Sequence, residues 1–253
     1  MFEEKPYKLY NGDCLELMKD IPDKSIDMIL CDLPYGTTQC KWDTVIPFEL
    51  LWEQYNRIIK DNGAIVLFGR EPFTSHLISS NIKGYKHKWV WNKKQSGSFQ
   101  NAKWMPLQIE EDIIVFSKKG ERVNYYPIMR KGKMRKRGGA KAKNMTTGDG
   151  WTENYTKYSD EYYPVNIIEI ANPRIGKLHP TEKPVELCEY LIKTYSKEGD
   201  TVLDNCMGSG STGVACMNIN RNFIGIELDN TYFEIAKNRI SNTYNELNKE
   251  VEE

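Results

Sequence analysis

The sequence holds no Cys-x-x-Cys pair, only three histidines, no net charge and no long apolar run. Its six cysteines (Cys14, Cys31, Cys40, Cys188, Cys206, Cys216) are scattered and mostly sit among apolar residues. That argues against a zinc site and a disulfide framework, and for a reducing compartment. His76, His87 and His179 are far apart, so no metal site is expected. Ala64–Phe68 is among the longest apolar runs, far below the ~20 residues that span a bilayer. The first residues include Glu3, Glu4 and Lys5 and lack the apolar core of a signal peptide. The expectation is a cytoplasmic protein with no membrane partner.

What is present is a globular composition, 40% apolar and 28% charged over 253 residues. That is long enough for one large domain, or one domain with an insertion. The zero net charge hides a strong asymmetry. Lys118 to Lys143 carries eleven Lys or Arg against one acid, Glu121. So dense a block repels itself unless a polyanion neutralises it, although a solvated basic loop would look the same. Arg130, Lys131, Lys133, Arg135, Lys136 and Arg137 are its densest part and the candidate nucleic-acid contacts. Trp151, Tyr155, Tyr158, Tyr162 and Tyr163 follow, and basic residues beside aromatics suit phosphate contacts plus base stacking. Those tyrosines equally suit a small core of the region's own.

The chain is organised around Asp32-Leu33-Pro34-Tyr35-Gly36. Ser25–Cys31 before it reads as a buried strand, so these residues sit at a strand's carboxyl end, where open α/β sheets bind ligands. Asp32 can accept hydrogen bonds from an exocyclic amino group. Pro34 restricts itself and Leu33, holding backbone carbonyls outward. Tyr35 offers a flat face for stacking. Together they suit an aromatic amine such as an adenine swung out of a duplex. A plain strand end with a Pro-Tyr-Gly turn is the other reading.

The rest reads as alternating elements. Tyr7–Tyr10 suits a strand, and Asp13 can cap the short helix that follows. Pro47 opens a helix with Phe48, Leu51, Tyr55, Ile58 and Ile59 at helical spacing, closed by Asp61-Asn62-Gly63. Ala64–Phe68 suits a strand and Pro72 opens another helix. Tyr85–Trp91 and Ile113–Phe116 suit two strands of a hairpin. His179–Pro184 leads into a helix. Thr201–Leu203 is a strand running into Asp204 and a glycine loop, and Phe223–Ile226 is a strand ending in Glu227. Asp229 caps the last helix, from Thr231 to about Glu246.

Gly208-x-Gly210-x-x-Gly213, followed by Glu227, matches the dinucleotide pattern in form. Asp204 opposes a diphosphate by like charge and favours a ligand with a cationic portion. The lesser reading is a helix N-terminal acid that only holds backbone donors. Glu227 can hold both hydroxyls of a ribose.

The motifs together resemble those of the permuted beta group of DNA amino-methyltransferases. Asp32-Leu33-Pro34-Tyr35 resembles that family's Asp/Ser-Pro-Pro-Tyr catalytic motif. Asp204–Thr212 resembles its Asp-Pro-Phe-x-Gly-Ser-Gly-Thr-Thr cofactor loop. His179–Pro184 is similar to its His-Pro-Thr-Gln-Lys-Pro motif, Phe223–Glu227 to its ribose-binding strand, and Asn11-Gly12-Asp13 to its short Gly-Asp motif. Leu33, Asn205, Cys206 and Glu182 depart from the pattern.

The resemblance implies an α/β fold: a Rossmann-like S-adenosylmethionine-dependent methyltransferase with a mostly parallel sheet, an antiparallel hairpin, a circularly permuted motif order and an inserted target-recognition region. The expected division is 1–118 (catalytic half), 119–176 (insert) and 177–253 (cofactor half). The implied cofactor is S-adenosyl-L-methionine, held by Asp13, Asp32, Thr181, Lys183, Asp204, Cys206, Gly208, Gly210 and Glu227. The implied catalytic residues are Asp32, Leu33, Pro34 and Tyr35, and the implied product is N6-methyladenine in double-stranded DNA. Cytosine N4 methylation is the nearest rival, and a catalytically silent DNA-binding protein of the same fold is the rival from another class. A homodimer and a cognate restriction nuclease are candidate partners.

Overall fold

The structure is a computed structural model. It describes residues 5–36, 43–96, 99–118, 120–137, 157–172, 178 and 182–252, with backbone only at 137, 157 and 250–252. Thr181, His179 and Pro180, Trp151 and Tyr155 lie outside the described residues, as does the side chain of Arg137.

The contacts divide the chain into two units, Met1–Tyr126 with Asn166–Glu253, and Pro127–Val165. In the first unit the elements run β1 (Tyr7–Asn11), α1 (Cys14–Leu17), β2 (Ile26–Cys31), α2 (Phe48–Ile58), β3 (Ile59–Gly69), α3 (Phe73–Ser80), β4 (Tyr85–Asn92) and β5 (Glu110–Phe116). The second unit supplies β6 (Arg130–Arg137) and β7 (Lys157–Tyr162). The first unit then resumes with β8 (Ile167–Glu169), α4 (Val185–Tyr195), β9 (Thr201–Asp204), α5 (Ser211–Asn218), β10 (Asn222–Glu227) and α6 (Asn230–Glu252). Its eight strands form one sheet in the order β1-β10-β9-β2-β3-β5-β4-β8. Every neighbouring pair is parallel except β3–β5 and β4–β5, so β5 alone runs backwards.

The central strands are buried on both faces, which is why they read as unbroken apolar runs rather than alternating ones. Alternation decides which layer each side chain meets. Met28, Leu30, Ala64, Val66 and Phe68 pack with Leu187, Leu191, Val214, Ala236 and Ile240 of α4, α5 and α6. Ile29, Cys31, Ile65 and Leu67 pack on the other face with Leu51, Trp52, Tyr55, Phe73 and Leu77 of α2 and α3. Each fully buried aliphatic side chain contributes about 1.5–3 kcal/mol of transfer free energy. Two helical layers thus clamp the sheet and fix its strand ends.

Three local expectations change. Asp61-Asn62-Gly63 does not separate helix from strand, because β3 runs through it. The pairing jumps from Ile26–Ile59 to Met28–Ala64, so the extra residues are taken up as an exposed irregularity within the strand. Polar turn formers are tolerated there because they meet water. β8 emerges from a region expected to be loop: it has three residues with only Ile168 buried, too few for a period to show. Finally, α6 runs to Glu252, beyond the expected end near Glu246. Its start is as expected: Asp229 accepts from the amides of Thr231 (2.8 Å) and Tyr232 (3.1 Å).

Considered by itself, the second unit forms, among its described residues, a two-stranded antiparallel ribbon, β6 with β7. Residues 130–136 are all exposed, as are Tyr158 and Tyr163. Tyr162 is the exception to the stacking expectation. Its ring lies 5.2 Å from the Arg135 guanidinium and its hydroxyl donates to the Lys133 carbonyl. Lys131 pairs with Asp160 and Glu161, so its charge is offset within the ribbon.

Candidate active site

Because β2 and β9 are parallel neighbours, with Ile29 level with Leu203, their following loops leave the same sheet edge. One cavity of about 620 Å³ lies at that edge. Asp13, Asp32, Leu33, Pro34, Tyr35, Lys183, Asp204, Cys206, Gly208 and Glu227 all line it. Gly210 is not in its lining; its part is structural. Gly208 and Gly210 take positive φ (51° and 81°), which allows the tight turn into α5. A Cβ on Gly213 would stand 2.4 Å from Ile240 Cδ1 and 2.7 Å from Phe223 Cε1, so this glycine lets α5 lie close to α6 and β10.

On the cofactor-loop side the carboxylates hold the backbone. Glu227 accepts from the amides of Gly208 and Asp229, both at 2.8 Å, and burial raises its pKa. Asp204 accepts from the Thr212 hydroxyl (2.7 Å) and the Cys206 amide (3.1 Å). Burial pushes its pKa up to about 7, against the opposing effect of those donors. Asp204 therefore does brace its own loop, yet the donors that hold it, a hydroxyl and an amide, are neutral. Asp13 caps α1 by accepting from Leu15 and Glu16 while also facing the cavity.

The Cys206 thiol hydrogen-bonds the thiols of both Cys14 and Cys31. Burial pushes the Cys31 thiol up to about 12, so it stays neutral and is no nucleophile. Tyr55 donates to the Asn205 side chain at 2.5 Å, which anchors the position where the resembling motif has proline.

On the other side Asp32 is held by charge. Lys183 Nζ lies 2.5 Å from Asp32 Oδ2 and 3.0 Å from Glu111 Oε1. The Tyr35 hydroxyl lies 2.8 Å from Asp32 Oδ1 and 3.1 Å from Glu111 Oε1. Lys93 Nζ sits 3.4 Å from Glu111 Oε2. Burial raises the Asp32 pKa, Lys183 opposes this, and the Glu111 charge adds to the rise. Burial also works against a charged Glu111, but Lys183 and Lys93 outweigh it and the net shift is downward. Burial would lower the Lys183 pKa, but the two carboxylates reverse that and keep it protonated. The ring of Tyr35 packs on Phe73, centroids 4.8 Å apart.

Lys183, expected among the cofactor residues, lines the shared cavity, and its ammonium rests on Asp32 and Glu111. Glu111 and Lys93 are not foreseen from the sequence. The one signal for Glu111 was an acidic run, Glu110-Glu111-Asp112, directly before an apolar strand. Since β5 runs backwards, that strand's beginning lies at the edge where β2 ends. Glu182, which departs from the resembling motif, pairs with Arg239 at 2.8 Å and accepts from the Leu178 amide.

A mostly parallel sheet clamped by helices, with a glycine loop and two acids around one edge cavity, defines an α/β enzyme of the nucleoside-cofactor type. The comparisons say which. A model of the DNA methylase family covering the N6 and N4 amino-methyltransferases matches residues 26–238. The chain belongs to that family.

It is 26% identical over 251 residues to the Type II methyltransferase M.HpaI of Haemophilus parainfluenzae, covering 94% of this chain and 75% of that protein. It is 25% identical over 265 residues to the Type II methyltransferase M2.MboI of Moraxella bovis, covering 94% and 88%. Among solved structures it resembles M1.HpyAVI in complex with S-adenosylmethionine, with TM-score 0.63, 28% identity and coverage of 92% and 98%. It also shares the fold of the cytosine-N4-specific PvuII methyltransferase, at TM-score 0.65 and 17% identity over 94% and 91% of the chains. The family's methyl donor is S-adenosylmethionine. No described helix is long and apolar enough to cross a membrane.

Proposed function

We propose that this DNA methyltransferase acts on the N6 amino group of an adenine swung out of double-stranded DNA, with Asp32 as the group that receives the amine. The observation that carries the reading is that Asp32, Asp204 and Glu227 line one cavity. An acceptor for an amine and a seat for a charged methyl donor therefore open toward each other.

The residues on the β9 side fit S-adenosylmethionine. Gly208 and Gly210 keep the loop tight, Glu227 faces the cavity with a lone pair to spare on each oxygen for a ribose hydroxyl, and Asp204 is a buried acid held by a neutral hydroxyl and a neutral amide. A cation beside Asp204 would favour its charged form. Bound there, S-adenosylmethionine supplies a methyl group on a sulfonium sulfur.

Asp32 and the Leu33 carbonyl accept from the amino group and turn the nitrogen lone pair toward that methyl. Pro34 holds the backbone in the required conformation. Positioning and charge complementarity provide the rate, and no covalent enzyme intermediate is needed. An aspartate in the first catalytic position favours adenine, since the resembling family more often uses serine for cytosine. Residues 119–176 serve as the target-recognition insert, with Arg130, Lys133, Arg135, Lys136 and Arg137 contributing phosphate contacts and Lys131 less. The motif order reads as the permuted one, and the setting as cytoplasmic and part of a restriction–modification system, with a second copy and a nuclease as candidate partners.

The test is product analysis. Duplex DNA methylated with labelled S-adenosylmethionine is digested to nucleosides. The label should travel with N6-methyldeoxyadenosine; label in N4-methyldeoxycytidine would overturn the adenine reading.

A further inference from the structure

Methyl transfer to an amine leaves one proton too many on nitrogen, and the site contains more acid than acceptance of the amine requires. Tyr35 Oη sits between Asp32 Oδ1 (2.8 Å) and Glu111 Oε1 (3.1 Å). A phenol has one proton and can donate to only one of them. If both carboxylates are ionised, one oxygen faces the phenol oxygen with no hydrogen between. The row is fully satisfied when a single extra proton is present, so that the protonated acid donates to the phenol and the phenol donates to the remaining carboxylate. Lys183 touches both carboxylates and lends the row the charge that keeps it together.

We propose that Tyr35 and Glu111 are a proton relay that carries the amine's surplus proton from Asp32 away from the reacting atoms. This rests on the reading that Asp32 faces the amine. The nitrogen lone pair forms the carbon–nitrogen bond as the carbon–sulfur bond breaks, its electron pair leaving with sulfur. The cationic nitrogen then gives one proton to Asp32. Asp32 passes a proton to Tyr35 Oη while Tyr35 passes its own to Glu111 Oε1. The network ends with Asp32 ionised again, Tyr35 neutral and Glu111 protonated. Glu111 releases the proton past Lys93, whose side chain is 18% exposed. A base seated over Asp32 bars its direct route to water, and Glu111 lies one residue further from it.

Tyr35 is thereby more than a stacking face, and Glu111 is a positioning residue that acts through it. The groups facing the Asp32–Glu111 pair are Tyr35, Lys183 ahead of α4, Lys93 after β4 and Asp204 at the end of β9.

The experiment is single-turnover methylation of duplex DNA against pH, with S-adenosylmethionine saturating, for the wild type, Glu111→Gln, Glu111→Asp and Tyr35→Phe. The Gln and Phe variants should lose about 10- to 100-fold in plateau rate, at or just below the ~100-fold lower bound of a general acid–base contribution. The acid limb should move in opposite directions. It falls in Glu111→Gln, where Asp32 loses a like charge, and rises in Tyr35→Phe, where Asp32 loses a donor. Glu111→Asp should recover part of the rate. Plateau rates within two-fold of wild type, or lowered rates with unmoved limbs, would overturn the relay. Should Glu111→Gln fail to fold, Tyr35→Phe and Glu111→Asp decide by the same criteria. Asp32→Ala separates the two claims: if it methylates at the wild-type rate, the assignment of Asp32 fails, whereas a dead Asp32→Ala beside fully active Tyr35→Phe and Glu111→Gln sinks the relay alone.

Discussion

Asp32 and Asp204 end neighbouring parallel strands and face one cavity, yet they are held in opposite ways. Asp32 is paired with Lys183, and the pair is closed by Glu111, Tyr35 and Lys93. Asp204 is held by a hydroxyl and an amide, and burial raises its pKa to about 7. One acid has its counter-charge built into the chain; the other is held by neutral donors. The difference matches the proposed function, which seats a neutral amine beside the paired acid and a cation beside the other.

The largest effect should come from breaking the pairing at Asp32. Lys183→Met strips half-buried Asp32 and buried Glu111 of the ammonium they share; among the described residues Lys93 is the remaining cation paired with either, at Glu111. Removing one partner from a buried charge pair costs about 3–5 kcal/mol. Urea unfolding at pH 8 should show a loss of that order. The loss should shrink at pH 5, because Asp32, already raised by burial and raised further without Lys183, favours the folded state at low pH and forfeits that contribution as pH rises.

Asp204→Asn addresses the other half. It should weaken S-adenosylmethionine binding about 10- to 100-fold, roughly 1.4–2.7 kcal/mol, read by calorimetry. Wild-type binding should fall as pH drops through about 7, where Asp204 takes up its proton, and the Asn variant should be flat there. The ligand-free protein shows the same group through stability. A folded pKa near 7 against an ordinary 3.8 gives a contribution present below pH ~4 and lost as pH rises through ~7. Asp204→Asn should abolish that dependence.

Gly213→Ala asks whether the glycine loop is also a packing device. Its methyl would press on Ile240 and Phe223, and overpacking of this kind costs about 1–3 kcal/mol by thermal unfolding.

The smallest effects belong to the ribbon. Lys136→Ala should lower DNA affinity and flatten its salt dependence by roughly 0.9 in log–log slope. Lys131→Ala should do less, since Asp160 and Glu161 already offset that charge. Filter binding at several salt concentrations distinguishes the two, and neither change should alter cofactor affinity.

Much of this was legible in the chain. Buried runs such as Met28–Cys31 and Ala64–Phe68 announced strands because parallel strands covered on both faces need apolar residues throughout. Asp13 and Asp229 announced helix starts because capping is local chemistry. The Asp204 loop was legible because its glycines answer to backbone geometry.

The charge network around Asp32 was not. Its bonds join Tyr35 to Glu111 across 76 residues and Asp32 to Lys183 across 151, and no local period encodes such contacts. Glu111 reaches the site only because β5 runs backwards, a matter of topology. Gly63 failed as a stop because tertiary pairing on both sides carried the strand through it, and β8 was too short to show a pattern.

The account stands most directly on Asp32→Ala, assayed at saturating donor and DNA for label transfer, with donor affinity measured on the same preparation. Transfer should fall by at least about 1,000-fold, as expected when a positioned acceptor is removed from the reacting centre, while donor affinity stays within a few-fold. Unimpaired transfer, or a donor affinity that collapses together with it, would contradict two pockets meeting across one sheet edge.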